Sequence, residues 1–99
     1  MKRFSILYRL DRCYVCGTTK GIHVHEVFYG TANRKKSIEN GFCVGLCGYH
    51  HNLSSEGVHF NKRLDLKLKK AYEKAYLRDH TVEDFIALIG SNYLEEGEI

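Results

Sequence analysis

The 99-residue chain has no proline, no tryptophan and a single methionine. Without proline no loop has a fixed φ, so its turns depend on nine glycines. No apolar stretch approaches the roughly 18 residues that a membrane helix requires. The N-terminal run Phe4 to Tyr8 breaks at Arg9, far short of the apolar segment of a secretory signal. A cytoplasmic, reducing location with no membrane partner is therefore expected. There cysteine clusters bind metal more often than they form disulfides.

Basic residues are also missing from one stretch. Residues 81–99 hold five acidic groups and no lysine or arginine, a charge of −5. Residues 1–80 hold all 15 basic groups and seven acidic ones, a charge of +8. A basic body with an acidic tail points to a polyanionic partner more than the net +3 does. With 43% hydrophobic and 27% charged residues, the composition is that of a folded chain. The length suits one domain, residues 1–99. A core this small is marginal, and four cysteines and six histidines are available to staple it.

Residues 4–8 alternate as a short strand with Phe4, Ile6 and Tyr8 on one face. Residues 22–28 alternate again, which puts His23 and His25 on one face and Val24, Glu26 and Phe28 on the other. Residues 31–41 read as a polar, basic loop with at most one helical turn, and 42–46 as a second strand. Leu64, Leu68, Tyr72, Ala75 and Tyr76 form one apolar stripe of a helix over about 61–79, for which Asn61 is a candidate N-cap. Thr81 and Asp84 form a capping box for a second helix, about 81–90, with Val82, Phe85, Ile86 and Ile89 inward and Gly90 at its end. Residues 91–99 read as a frayed acidic tail.

Cys13-x2-Cys16 and Cys47-x2-His50 are separated by 30 residues, and each pair lies beside a glycine. Two such pairs suit the tetrahedral geometry of a structural zinc. Cys43 is the competing ligand, in a Cys13, Cys16, Cys43, Cys47 set. Inside an apolar strand, however, it reads better as a small hydrophobe. With His50 assigned to zinc, His23, His25, Glu26 and His51 remain near the same turns, with His59 slightly beyond. His23 has its simplest reading as a residue outside the ligand shell, His59 as a turn residue after Gly57, and His80 as a helix C-terminal residue.

The order of these segments is CxxC, then His25-Glu26-Val27-Phe28-Tyr29-Gly30-Thr31-Ala32-Asn33-Arg34, then Leu46-Cys47-x-x-His50-His51-Asn52, then Gly57-Val58-His59-Phe60-Asn61. It resembles the phage-type HNH endonucleases of the ββα-metal class, whose relatives include small phage recombination-enhancement nucleases. The resemblance covers roughly residues 13–76, and Phe85 to Leu94 is similar to the last helix of that group. It implies an α+β fold: a zinc-stapled, treble-clef-type ββα-metal core over about residues 4–61, followed by the two C-terminal helices. It also implies hydrolysis of DNA phosphodiester bonds with magnesium or manganese, in a bacterial host. A phage or host recombination protein is the implied partner. Carried over residue by residue, His25 and Glu26 take the strand positions, where the family pattern has a metal ligand followed by a histidine base. His51 takes the helix-side ligand, His59 the last histidine, and Asn33 (or Asn40) the central asparagine that braces the loop.

The chain departs from the family it resembles at Glu26, where many members have histidine. A carboxylate is a weaker base than imidazole near neutral pH. Either Glu26 is the base beside a ligand His25, or His25 is the base with Glu26, His51 and His59 around the ion. In a third reading the site has lost activity, and the chain binds DNA or a host protein. Arg34, Lys35 and Lys36 in the loop, with Lys62, Arg63, Lys67, Lys69, Lys70 and Lys74 on the long helix, are expected to flank the ion. There they would contact the nucleic-acid backbone with weak sequence preference. A solvated helix face is the ordinary alternative for such lysines.

Overall fold

The computed structural model describes residues 2–98. Strand β1, Ile22–Glu26, pairs antiparallel with β2, Cys43–Cys47, in a register that sets Ile22 opposite Cys47 and Glu26 opposite Cys43. Between them runs helix α1, Asn33–Asn40, where a loop was expected. The cause is local and buried. The Ser37 hydroxyl donates to the Phe28 carbonyl (2.5 Å) and accepts from the Phe28 N–H (3.1 Å), so one α1 side chain closes both orphan groups where β1 ends. Val27 and Phe28 leave the strand and are both buried, which ends its alternation.

Residues 4–8 do not form the expected strand. One bridge joins Ser5 to Phe42, and Phe4, Ile6 and Tyr8 face outward. The segment still covers the free edge of β2. Ile6 N–H donates to the Gly41 carbonyl, and Tyr14 N–H donates to the Gly45 carbonyl. It lies so close that a Cβ on Gly45 would stand 2.6 Å from the Arg12 carbonyl oxygen. An exposed sheet edge is thereby blocked.

The short helix α2, Gly48–His51, follows β2 directly, and α3 runs over Lys62–Tyr76. Asn61 caps α3 by accepting from Leu64 N–H, and Leu68, Tyr72 and Ala75 bury the apolar stripe. α4, Val82–Ile89, carries the Thr81–Asp84 capping box and ends at Gly90, as its sequence implies. Phe85, fully buried, meets Phe28, Phe42 and Tyr76 in an aromatic cluster with ring centroids 5.3–6.2 Å apart. Burying one such ring contributes roughly 1.5–3 kcal/mol. His80 stacks on Tyr76 at the end of α3, a structural position.

The C-terminal segment is not frayed. Glu73, buried on α3, accepts from Tyr93 N–H at 2.8 Å, Leu94 is buried, and Glu96–Glu98 forms a 3-10 turn. Together the elements make a small α+β unit of one two-stranded sheet and four helices. Among the described residues no helix is long and apolar enough to cross a membrane.

Tyr72 ties three layers. Its hydroxyl donates to the Cys43 carbonyl at 2.8 Å and meets Ser5 Oγ at 2.6 Å. Tyr72→Phe should therefore cost about 1–2 kcal/mol in urea denaturation, because the buried Cys43 carbonyl loses its donor.

Candidate functional site

Cys13 and Cys16 sit on a tight turn closed by Gly17 N–H to the Cys13 carbonyl and Cys13 N–H to the Thr18 carbonyl. Cys47 ends β2 in extended backbone, and His50 follows within α2. The hairpin register, with Ile22 opposite Cys47, holds this second turn against the start of β1. The ligand atoms of Cys13, Cys16, Cys47 and His50 all lie within 4.8 Å of one another. Zinc–sulfur bonds of about 2.3 Å and zinc–nitrogen bonds of about 2.0 Å require tetrahedral edges of about 3.8 Å (S···S) and about 3.5 Å (S···N). The structure has Cys16 Sγ to Cys47 Sγ at 3.8 Å, and His50 Nδ1 to Cys13 Sγ at 3.6 Å and to Cys47 Sγ at 3.3 Å. This Cys3His group could hold a metal such as zinc.

Electrostatics separate Cys13 from Cys43. Burial opposes ionisation of Cys13, but the Cys47, Cys16 and Val15 amides and the Cys16 side chain outweigh it, and the thiol falls to about 6. A low thiol pKa favours the thiolate that a metal binds. Cys43 is buried at the far end of β2, about 13 Å along the strand from Cys47. Burial and then the Glu26 charge push its thiol up to about 11. Cys43 is packed as a small hydrophobe, and the alternative four-cysteine set is not brought together.

A second group gathers on the other side of α2. His25, His51 and His59 present ring nitrogens that all lie within 4.8 Å of one another. His25 points from β1 into the interior, 4% exposed, and its Nε2 has no hydrogen-bond partner. Burial first, then the His51, His59 and Lys69 charges, lowers its pKa to about 3, so it stays neutral with a lone pair available. His51 ends α2. Its Nε2 lies 3.0 Å from His59 Nε2, and its Nδ1 lies 2.8 Å from His23 Nδ1. If Nε2 of His51 offers its lone pair to the group, its proton is on Nδ1 and donates to His23. That hydrogen bond fixes tautomer and ring orientation, as partners of metal-bound imidazoles do. Burial, then His59 and His23, holds the His51 pKa below its ordinary value. His59 arrives on a loop pressed onto α2: Val58 N–H donates to the His50 carbonyl, and a Cβ on Gly57 would stand 2.7 Å from the His51 carbonyl oxygen.

Glu26 is outside this group. It sits on the opposite face of β1 from His25, with Oε1 accepting from Arg34 Nε at 2.8 Å and Oε2 from Arg3 Nε at 3.2 Å. The group that the structure brings together is therefore His25, His51 and His59; of the two sequence readings, one has His25 at the ion, and the preferred one has Glu26 there beside His51 and His59. Arg3, Glu26, Tyr29 and Arg34 edge an open cleft of about 710 Å³ over the three histidines. Asn33 lies away from it and donates to the Ile89 carbonyl at 3.0 Å, bracing α1 against α4, and Asn40 bonds only the Lys36 carbonyl within its own helix.

The basic residues do not all flank the cleft. Arg34 lines it, but Lys35, Lys36 and Lys62 do not. Arg63, Lys67 and Lys70 line a separate groove on another face of α3. The expectation that the long helix lays its charge beside the histidines is corrected by the helical period. Residues 65 and 69 face Tyr29, while 63, 67 and 70 point away from it. Sequence reasoning missed Arg3 and Tyr29 at the cleft, whereas Lys69, expected among the basic residues of the long helix, does face Tyr29, its Nζ 4.5 Å above that ring. Arg3 carried no pattern beyond charge, and Tyr29 only followed the strand.

Substitution separates the two thiols. Cys47→Ser should lose the chelator-resistant metal equivalent of zinc-loaded protein, and Cys43→Ser should keep it, as read by metal analysis after desalting. Loss in Cys43→Ser with retention in His50→Ala would instead assign the four-cysteine set. No protein-family model, curated protein or solved structure matches this chain, so its function rests on the chemistry of the two clusters.

Proposed function

We propose that the chain is a metal-dependent endonuclease of HNH type that nicks or cleaves DNA by hydrolysing phosphodiester bonds. The observation that carries this reading is the convergence of His25, His51 and His59 on the floor of a cleft rimmed by two arginines. The segments that resemble the family are the ones from which these groups come. In this reading the Cys3His group holds a structural zinc that fixes α2 against the hairpin, and the three imidazoles hold the catalytic ion.

The donor set decides which ion fits. Magnesium prefers oxygen ligands, whereas imidazole suits manganese only moderately and the later transition metals well. The unpartnered, neutral Nε2 of His25 is a ligand position in search of a cation. Manganese, or another divalent transition ion, therefore fits here better than magnesium.

When bound, such an ion supplies an activated water and stabilises charge on phosphate and leaving oxygen. The chain's own residues hold and orient. His23 keeps the His51 ring turned toward the group. Glu26 braces Arg3 and Arg34 at the rim, where their remaining guanidinium N–H groups can bind a phosphate. This assigns His25 to the ion and makes Glu26 a positioning residue, neither of them the proton acceptor.

One observation favours a second reading. Both Glu26 oxygens are engaged by arginine at the position where relatives carry a histidine base. A catalytically silent module that binds DNA or a host protein would have the same two clusters without turnover.

Plasmid nicking with manganese separates the readings. Wild type should nick, and His51→Ala should lose at least about 100-fold of that rate while keeping its zinc equivalent. A manganese ion bound by wild type with no nicking of single- or double-stranded DNA would favour the silent module.

A further inference from the structure

Arg63, Lys67, Lys70 and Lys74 recur along α3 at i, i+4, i+7 and i+11, one stripe about 16 Å long. With Tyr14 and Leu66 they line a groove of about 520 Å³, on a different side of α3 from the Asp65–Lys69 pair that faces Tyr29. A lysine stripe alone is usually a solvated face. Here α3 offers this stripe no carboxylate of its own, because Asp65 is paired to Lys69 and Glu73 is buried against Tyr93 N–H. Among the described residues, the one acidic side chain that lines the groove is Glu98, from the far end of the chain. Lys70 Nζ donates to both Glu98 oxygens, at 2.9 and 3.2 Å, and Glu95 N–H donates to Glu98 Oε1 at 2.9 Å.

We infer that this stripe is a second binding site for a nucleic-acid backbone, apart from the histidine cleft, and that the C-terminal turn is its internal occupant. The turn is held in place by Glu73 and by buried Leu94, so the carboxylate is delivered to Lys70 by the fold. The Lys70–Glu98 pair is partly exposed and therefore weak and salt-screened. A polyanion that engages four cations at once displaces it. A regular row of cations matches the regular charge of a phosphodiester strand better than it matches irregular carboxylates of a protein, and Tyr14 offers a face on which a base can stack. The choice of nucleic acid as the polyanion rests on the nuclease reading. The groove and its occupant do not.

The test is fluorescence anisotropy of zinc-loaded full chain with a short labelled oligonucleotide, without manganese so that nothing is cut, across a salt series. The double variant Lys67→Ala/Lys74→Ala should weaken binding at least about tenfold and lower the salt slope by about two. Glu98→Gln should tighten binding about two- to fivefold. Glu83→Gln, an equal charge change at an exposed site on α4, should leave it unaltered. Equal gains in Glu98→Gln and Glu83→Gln would reduce the effect to net charge and overturn the internal occupant. An undiminished double variant would overturn the groove. Polyglutamate binding as tightly, with the same variant pattern, would make the partner an acidic protein segment. Wild type that shows this variant pattern in the groove but nicks no DNA with manganese would count against the nuclease alone.

Discussion

The constraint on which the molecule depends is the junction at Cys47. β2 ends there, α2 begins one residue later, and His50 and His51 leave that single turn on different sides. One imidazole completes the Cys3His group and the next enters the histidine group. Neither cluster can move without the other. Because the register sets Ile22 opposite Cys47, the same junction places His23 and His25 beside His51. A metal in the first cluster would stabilise the folded state by binding a site that the unfolded chain lacks, and would preorganise the second at the same stroke.

Charge is arranged on two separate fronts. At the cleft, Glu26 gathers Arg3 from the N-terminal segment and Arg34 from α1, so two guanidinium groups distant in sequence share one rim. Along α3 the groove carries its own stripe, answered by Glu98. The opposition of +8 and −5 in the sequence is thus partly resolved inside the fold, by contact between the acidic segment and the basic helix. A tail that composition marked as frayed is bound at three points: Tyr93 to Glu73, Leu94 in the interior and Glu98 to Lys70.

What the sequence revealed follows from how local each signal is. Capping boxes, CxxC turns and a 3.6-residue apolar stripe are set by neighbours in the chain, and Thr81–Asp84, the two metal-type pairs and the buried stripe of α3 all have their expected places. The histidine group was half legible. His51 and His59 were expected at an ion, but the partner from β1 depended on which strand face turned inward. His25 turns to the interior, while Glu26 turns to Arg3 and Arg34 at the cleft rim and is itself mostly covered. Alternation gave the two faces, while only the tertiary fold could choose between them. Helix α1 was missed because its stabilising contacts are nonlocal: Ser37 against Phe28, and Asn33 against Ile89. Its polar, basic sequence has no apolar stripe by which to announce a helix.

The facing choice at β1 has a chemical consequence. Had Glu26 turned inward, a carboxylate would have met His51 and His59, giving a mixed oxygen and nitrogen set hospitable to magnesium. With His25 inward, three imidazoles converge at the cleft floor, from the buried His25 to the exposed His59, and burial itself keeps His25 unprotonated. An uncharged donor set leaves the charge of a divalent cation uncompensated by its ligands, so the anions that neutralise it must come from outside, as hydroxide or phosphate. Arg3 and Arg34 at the rim, already braced by Glu26, favour phosphate in that place. The engagement of Glu26 by the two arginines thus leaves an all-imidazole centre beneath a rim of net positive charge, an arrangement that would favour an anion over a bound cation.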